Sequence, residues 1–387
     1  MSRQNPPKWD PREGSVLNDQ IAVYDRMRKS CPVAHSDYLG WSLFQHADVM
    51  RALTETETFS NAVSARHVAV PNGMDPPTHT EYRRIIDPYF GPERMKKFEP
   101  VCRVIVCRLL ESLSQRREME VVGEFADVFA VEAQCAFLEW PKELHGPLLQ
   151  WTRKNYAATL AGDRAVIEEV ALEFDGHIRE RLNESRASKD TGRDDALTRL
   201  LQERVHGRPL TDEEIVSILR NWTVGELSTI SASISILLHY LALHPAVQGE
   251  LRQHAELQSS AIDEILRIHP PLIASRRVAA KDVELGGCPV SAGERITILW
   301  ASANRDESVF GNPDEFRLDR DPSQNLLYGA GIHYCPGAPL ARLELRIVLE
   351  ELLARASSLA LSPNGKPVNA IYPGSGFASL LLMIEWR

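Results

Sequence analysis

The chain has 387 residues, 43% hydrophobic and 25% charged, which is enough apolar material for a sizeable buried core. With 44 basic against 53 acidic residues the formal net charge is −9, which argues against a nucleic-acid binder. The six cysteines (31, 102, 107, 135, 288 and 335) show no CxxC spacing, so neither a disulfide framework nor a zinc site is suggested, and reduced cytoplasmic thiols are the simplest reading.

Residues 1–10 are polar and broken by prolines, so they read as neither a signal peptide nor a membrane anchor. The next stretch, to about residue 70, mixes short elements: a helix fits residues 22–28, and alternation predicts a strand over 40–44. Another helix begins in 75–84 after a proline turn. Helical periodicity dominates 95–113 and 166–183, and the polar residues 186–207 read as an exposed connection. Thr211 and Glu214 form a capping box. Ile215, Ile218, Leu219 and Trp222 follow at helical spacing, and the pattern runs to Leu243 before His244-Pro245. That is about 32 residues, or roughly 48 Å at the helical rise of about 1.5 Å per residue. Its most apolar part, 230–243, carries three serines and is too short to span a bilayer, so it reads as a buried core helix. Ser260 and Asp263 are expected to cap a short helix that Pro270-Pro271 stops. Residues 283–293 read as a hairpin and 295–301 as a strand, and the last 25 or so residues, around Gly374 and Gly376, as a second small hairpin. Length alone suggests two or three domains, but no linker, repeat or composition shift divides the chain.

Cys335 stands out by its surroundings. A lone cysteine is usually a buried apolar thiol. Here Tyr328, Gly329, Gly331, His333 and Gly337 sit at fixed offsets around it, and residues 338–346 read as a helix with proline in its first turn. Glycine-rich backbone can wrap close to a flat ligand, and a cysteine at a helix N-terminus is biased toward thiolate, as an axial haem ligand requires. The pattern resembles the haem-binding loop of the cytochrome P450 family, F-x-x-G-x-H-x-C-x-G, with Tyr328 at the first position. Pro336 removes one backbone N–H near the sulfur, so donors there must come from later residues. The resemblance covers nearly the whole chain. It implies a mainly α fold with small β-sheets (α+β), one large domain over residues 1–387 with a long central helix and a cysteine haem loop, and haem b as cofactor.

Further residues carry the same resemblance. Glu264 and Arg267, three apart on one helical face, would alone be a solvated pair. With Arg320 they resemble the family's E-x-x-R pair and its later arginine, which implies an ion network holding the haem loop. His79 and Arg83 resemble its H-x-x-x-R. With Arg277 and His333 they are implied as partners of the haem propionates, and Arg276 is the one-residue alternative to Arg277. On the long helix, residues 225–229 fall where the family usually has A/G-G-x-D/E-T. Gly225 would relax the helix beside the iron, and Thr229 would be the alcohol that handles oxygen. Ser228 stands where the acid is expected, and Glu226 replaces the second glycine. At i and i+3, Glu226 and Thr229 share a face, so the carboxylate could feed protons; otherwise it points into a salt bridge or solvent.

By position the substrate pocket is lined by Gly225, Leu227, Ile273, Ala274 and Phe377, with Val68 and Val70 in a covering loop between residues 59 and 75. A compact hydrophobic or aromatic substrate fits such a lining. The resemblance implies a monooxygenase that inserts one atom of O2, by hydroxylation or oxidative dealkylation, and works without nucleic acid or membrane. Its electrons would come from a ferredoxin and an NAD(P)H-dependent ferredoxin reductase, docking at Arg84, Lys96, Lys97, Arg342 and Arg346. The missing acid before Thr229 motivates a peroxide-driven peroxygenase as the alternative. A non-catalytic haem sensor is the third reading.

Overall fold

The capping box at Thr211 sets the start of the element around which everything else packs. The Glu214 N–H donates to Thr211 Oγ1 (3.3 Å) and the Thr211 N–H to Glu214 Oε2 (2.8 Å). Asp212, Glu213 and Glu214 also place negative charge in the first turn, where it complements the helix dipole. The helix then runs over Asp212–Leu243 and stops before Pro245. It is long and apolar enough to cross a membrane by composition, but most of it is buried inside the protein, which makes it a core helix. This computed structural model describes residues 9–64, 69–187, 195–372 and 374–387, so Val68 and residues 1–8 lie outside the described residues.

Against the long helix pack Asp127–Leu138, Arg164–Ala187, Gln258–Ile268 and Ala338–Arg355, and the last of these packs in turn on Pro92–Leu113. The main hydrophobic core lies between these helices. The largest sheet has five strands in the order Val33–Ser36, Gly40–Leu43, Arg295–Leu299, Ala274–Ala279 and Phe59–Ser60. Only its central pairing, Gly40–Leu43 with Arg295–Leu299, is parallel. Alternation along Ala274–Ala279 decides between the two adjacent arginines: Arg277 is buried and Arg276 exposed. A three-stranded sheet joins Ala356–Leu361, Leu381–Trp386 and Glu118–Glu120, and two-stranded hairpins pair Val283–Leu285 with Cys288–Val290 and Val368–Asn369 with Phe377–Ser379. The fold is the expected mainly α arrangement with small sheets.

One boundary differs from expectation. The helix carrying Glu264 begins at Gln258 and runs straight on from a 3-10 turn at Ala255–Leu257, so Ser260 lies in its first turn and does not cap it. The preceding turn already supplies helical backbone, and no side-chain cap is used.

Candidate functional site

The cysteine loop is shaped by glycine. Gly331 has φ +69°, and a Cβ there would sit 2.6 Å from the Leu53 carbonyl oxygen, so no other residue fits. The Cys335 N–H donates to Tyr328 O (2.9 Å), closing the loop, and the Ala338–Arg355 helix follows with Pro339 in its first turn. The backbone N–H groups of Gly337 and Ala338 point at the sulfur, the later donors that Pro336 makes necessary. The expected bias toward thiolate does not hold for the thiol by itself. Burial pushes Cys335 up, and this outweighs the Gly337 and Ala338 N–H groups and the Arg83 charge. A thiolate here therefore needs a cation on the sulfur. The Tyr328 ring lies beside it, with the Arg342 guanidinium 4.4 Å from the ring centre.

His79, His333 and Arg277 converge next to the loop. The two imidazoles lie 4.1 Å apart between ring centres. Among the described residues, neither nitrogen of His79 nor Nε2 of His333 has a hydrogen-bond partner. Burial, followed by the neighbouring His79, Arg277 and Arg83, pushes His333 down to about 3, and burial lowers His79 as well. Arg277 is buried, with Nη1 donating to Arg276 O (2.7 Å), and burial pushes it down to about 10. Buried donors without a carboxylate in bonding contact suit an anionic partner. The two propionates of haem b supply two such charges, so these residues fit the cofactor. Arg83 is engaged differently. It donates to Asp87 (2.6 Å) and to the Ile332 and Tyr334 carbonyls (3.1 and 2.9 Å), which makes it a strut of the cysteine loop.

The ion network is assembled as a clamp on the segment leading into that loop. Arg267, 1% exposed, donates to both Glu264 oxygens (2.8 and 3.0 Å) and to the Asn304 and Pro313 carbonyls (both 2.8 Å). Arg320 joins Glu264 Oε1 (2.9 Å) and ties the Asn312, Glu315 and Phe310 carbonyls.

On the long helix, Gly225 and Thr229 share an open face. Gly225 is exposed, a Cβ there would meet nothing within 4 Å, and Thr229 Oγ1 donates to Gly225 O (2.6 Å). Ser228 donates to Val224 O (3.3 Å). One expectation fails on this helix. Leu227 lies two residues from both Gly225 and Thr229, hence on the opposite side, and is buried in the main core. Glu226, three residues before Thr229 and 7% exposed, pairs with no cation among the described residues. It turns inward to meet the carboxyl of Glu344 on the Ala338–Arg355 helix.

Ile273 and Phe377 meet at a cavity of about 490 Å³ that Ile236 and His239 also line, and the Phe377 ring lies 4.4 Å from that of His239. Gly225 and Ala274 do not line it. Val70 is tied to the long helix through Ser217 Oγ (2.8 Å) and Asn221 (3.0 Å). Of the expected docking cations, Arg342 pairs with Asp263, Arg346 with Glu99 and Glu350, and Arg84 with Glu81, while Lys96 and Lys97 are exposed. Sequence reasoning missed Glu344. Its signal was a carboxylate set in the apolar stripe of Leu340, Leu343, Ile347 and Val348.

The chain is similar to known proteins in sequence and in fold. The family model described as Cytochrome P450 matches residues 144–380. "Cytochrome P450 109" of Bacillus spizizenii is 31% identical, over 90% of this chain and 87% of its own. Linalool 8-monooxygenase of Pseudomonas putida is 28% identical, over 88% and 89%. A mutant of P450 EryK in complex with erythromycin B superposes with a TM-score of 0.87 at 28% identity, covering 95% of this chain and 97% of that one.

Proposed function

This chain belongs to the cytochrome P450 family, and from that premise we propose that it oxygenates a small hydrophobic or aromatic molecule, by hydroxylation or oxidative dealkylation, with electrons from a ferredoxin and its NAD(P)H-dependent reductase. It is a haem b monooxygenase of that family. One observation carries the reading: a cysteine in a glycine-shaped loop stands beside His79, His333 and Arg277, which among the described residues have no carboxylate in bonding contact. We read the whole chain as one cytoplasmic haem domain that acts without nucleic acid or membrane.

Bound haem b supplies the redox-active iron at which O2 is reduced. The protein's own residues do the rest. Cys335 Sγ would ligate the metal, and the Gly337 and Ala338 N–H groups would hold charge on the sulfur. His79, His333 and Arg277 hold the propionates. Gly225 leaves room next to the long helix, and Thr229 would present the hydroxyl that positions a proton. Ile273 and Phe377 are apolar surface for the substrate. Relatives named for linalool and bound to erythromycin B support an organic substrate without narrowing it.

The peroxygenase alternative has one observation in its favour: Ser228, where the acid is expected, carries none and donates to Val224 O. Product formation is expected to require ferredoxin, reductase and NAD(P)H. Equal turnover with hydrogen peroxide alone would hand the reading to the peroxygenase. Electron transfer is further expected to slow as salt is added, because Lys96 and Lys97 are exposed cations for an acidic partner. A rate indifferent to ionic strength would remove that docking surface.

A further inference from the structure

We propose that Glu226 and Glu344 form an internal proton store, shared between the helix on the oxygen side and the helix that starts at the cysteine loop, and that this store replaces the acid missing at Ser228. The inference rests on the monooxygenase reading. It begins from a juxtaposition that packing alone does not explain. Two carboxyls from different helices meet in the interior, with Glu344 0% and Glu226 7% exposed. Among the described residues, Glu226 Oε1 and both Glu344 oxygens have no hydrogen-bond partner, and no cation pairs with either group. The arginines of the neighbouring helices are bound elsewhere: Arg103 to Glu99, Glu350 and Glu351, and Arg346 to Glu99 and Glu350. Cys102, also fully buried, feels both glutamates and stays a neutral thiol, because burial and their charge push it up.

Two facing carboxylates cannot both ionise in such a place. One proton between them supplies the donor that their oxygens lack. Burial raises both groups, so the two carboxyls share one proton. The pair opens on its Glu226 side, where the residual exposure lies, next to Gly225 and three residues before Thr229. Turnover consumes substrate, O2, two electrons and two protons and releases hydroxylated product and water. The pair hands on one of those protons as another enters from solvent on the Glu226 side, so that one proton always stays between the two carboxyls.

Two measurements test this on the haem-loaded protein. Infrared spectra in H2O and D2O are expected to show the C=O stretch of a buried carboxylic acid, exchangeable, and altered in both E344Q and E226Q. With a ferredoxin system, E226Q is expected to give about tenfold less product per NAD(P)H, the balance appearing as hydrogen peroxide with an increased solvent isotope effect, and E226Q/S228D is expected to regain most of the yield. A wild-type protein that shows the thiolate-type carbon-monoxide spectrum but no such carboxylic-acid band overturns the store, as does unchanged product yield in E226Q or a double variant no better than E226Q. A wild type without that spectrum sinks the monooxygenase reading instead.

Discussion

Cys335→Ser is expected to abolish the red-shifted band of the reduced, carbon-monoxide-treated protein and to cut turnover by at least about a thousandfold, about 4 kcal/mol of transition-state stabilisation. The substitution exchanges one atom and leaves the loop intact. The backbone N–H of residue 335 still reaches Tyr328 O, and Gly331 still clears Leu53. What changes is the donor. A hydroxyl is harder and less easily deprotonated than a thiol, and here desolvation pushes even the thiol up. The Gly337 and Ala338 N–H groups would then face a neutral oxygen, with no sulfur charge to stabilise. If the variant kept both the band and product formation, Cys335 would not be the ligand.

Features whose physics is local could be read from the chain. The Thr211/Glu214 capping box depends on four consecutive residues, and the helix starts where it says. The need for glycine at 331 was legible as pattern, but its cause, the Leu53 carbonyl, comes from a distant segment. Arg276 and Arg277 could not be separated until the strand pairing fixed which face is buried. Leu227 could have been excluded from sequence, because a residue two positions from Gly225 and Thr229 faces the other way on any helix. Glu226 could not have been assigned, since at three residues from Thr229 its direction depends on what the neighbouring helix offers. That neighbour offers Glu344, a contact between segments far apart in the chain. The Cys335 thiol taught a related lesson: position before a helix N-terminus argues for thiolate, but desolvation is the larger effect and only the fold reveals it.

Arg267→Ala is the second large effect, expected to yield protein with little or no incorporated haem, read as the ratio of haem to protein absorbance after purification. Removing one partner of a buried pair costs about 4 kcal/mol, mainly because the survivor is left uncompensated. Here the survivor is Glu264, which would keep only Arg320 and the Arg317 N–H (3.2 Å) as donors. The Asn304 and Pro313 carbonyls would also lose their donor, at about 1–3 kcal/mol each if no water replaces it. Both effects fall on the segment that leads into the cysteine loop. Asn304 also accepts the Leu326 N–H on its side chain (2.8 Å), two residues before Tyr328. Loosening Asn304 therefore reaches the residue whose carbonyl closes the loop around Cys335. Arg267→Lys separates charge from geometry: an ammonium keeps the charge but lacks the planar fork that serves Glu264 and two carbonyls together, so partial haem occupancy is expected. Full occupancy in Arg267→Ala, with a Tm equal to the wild type, would mean that the cysteine loop holds its shape without this clamp.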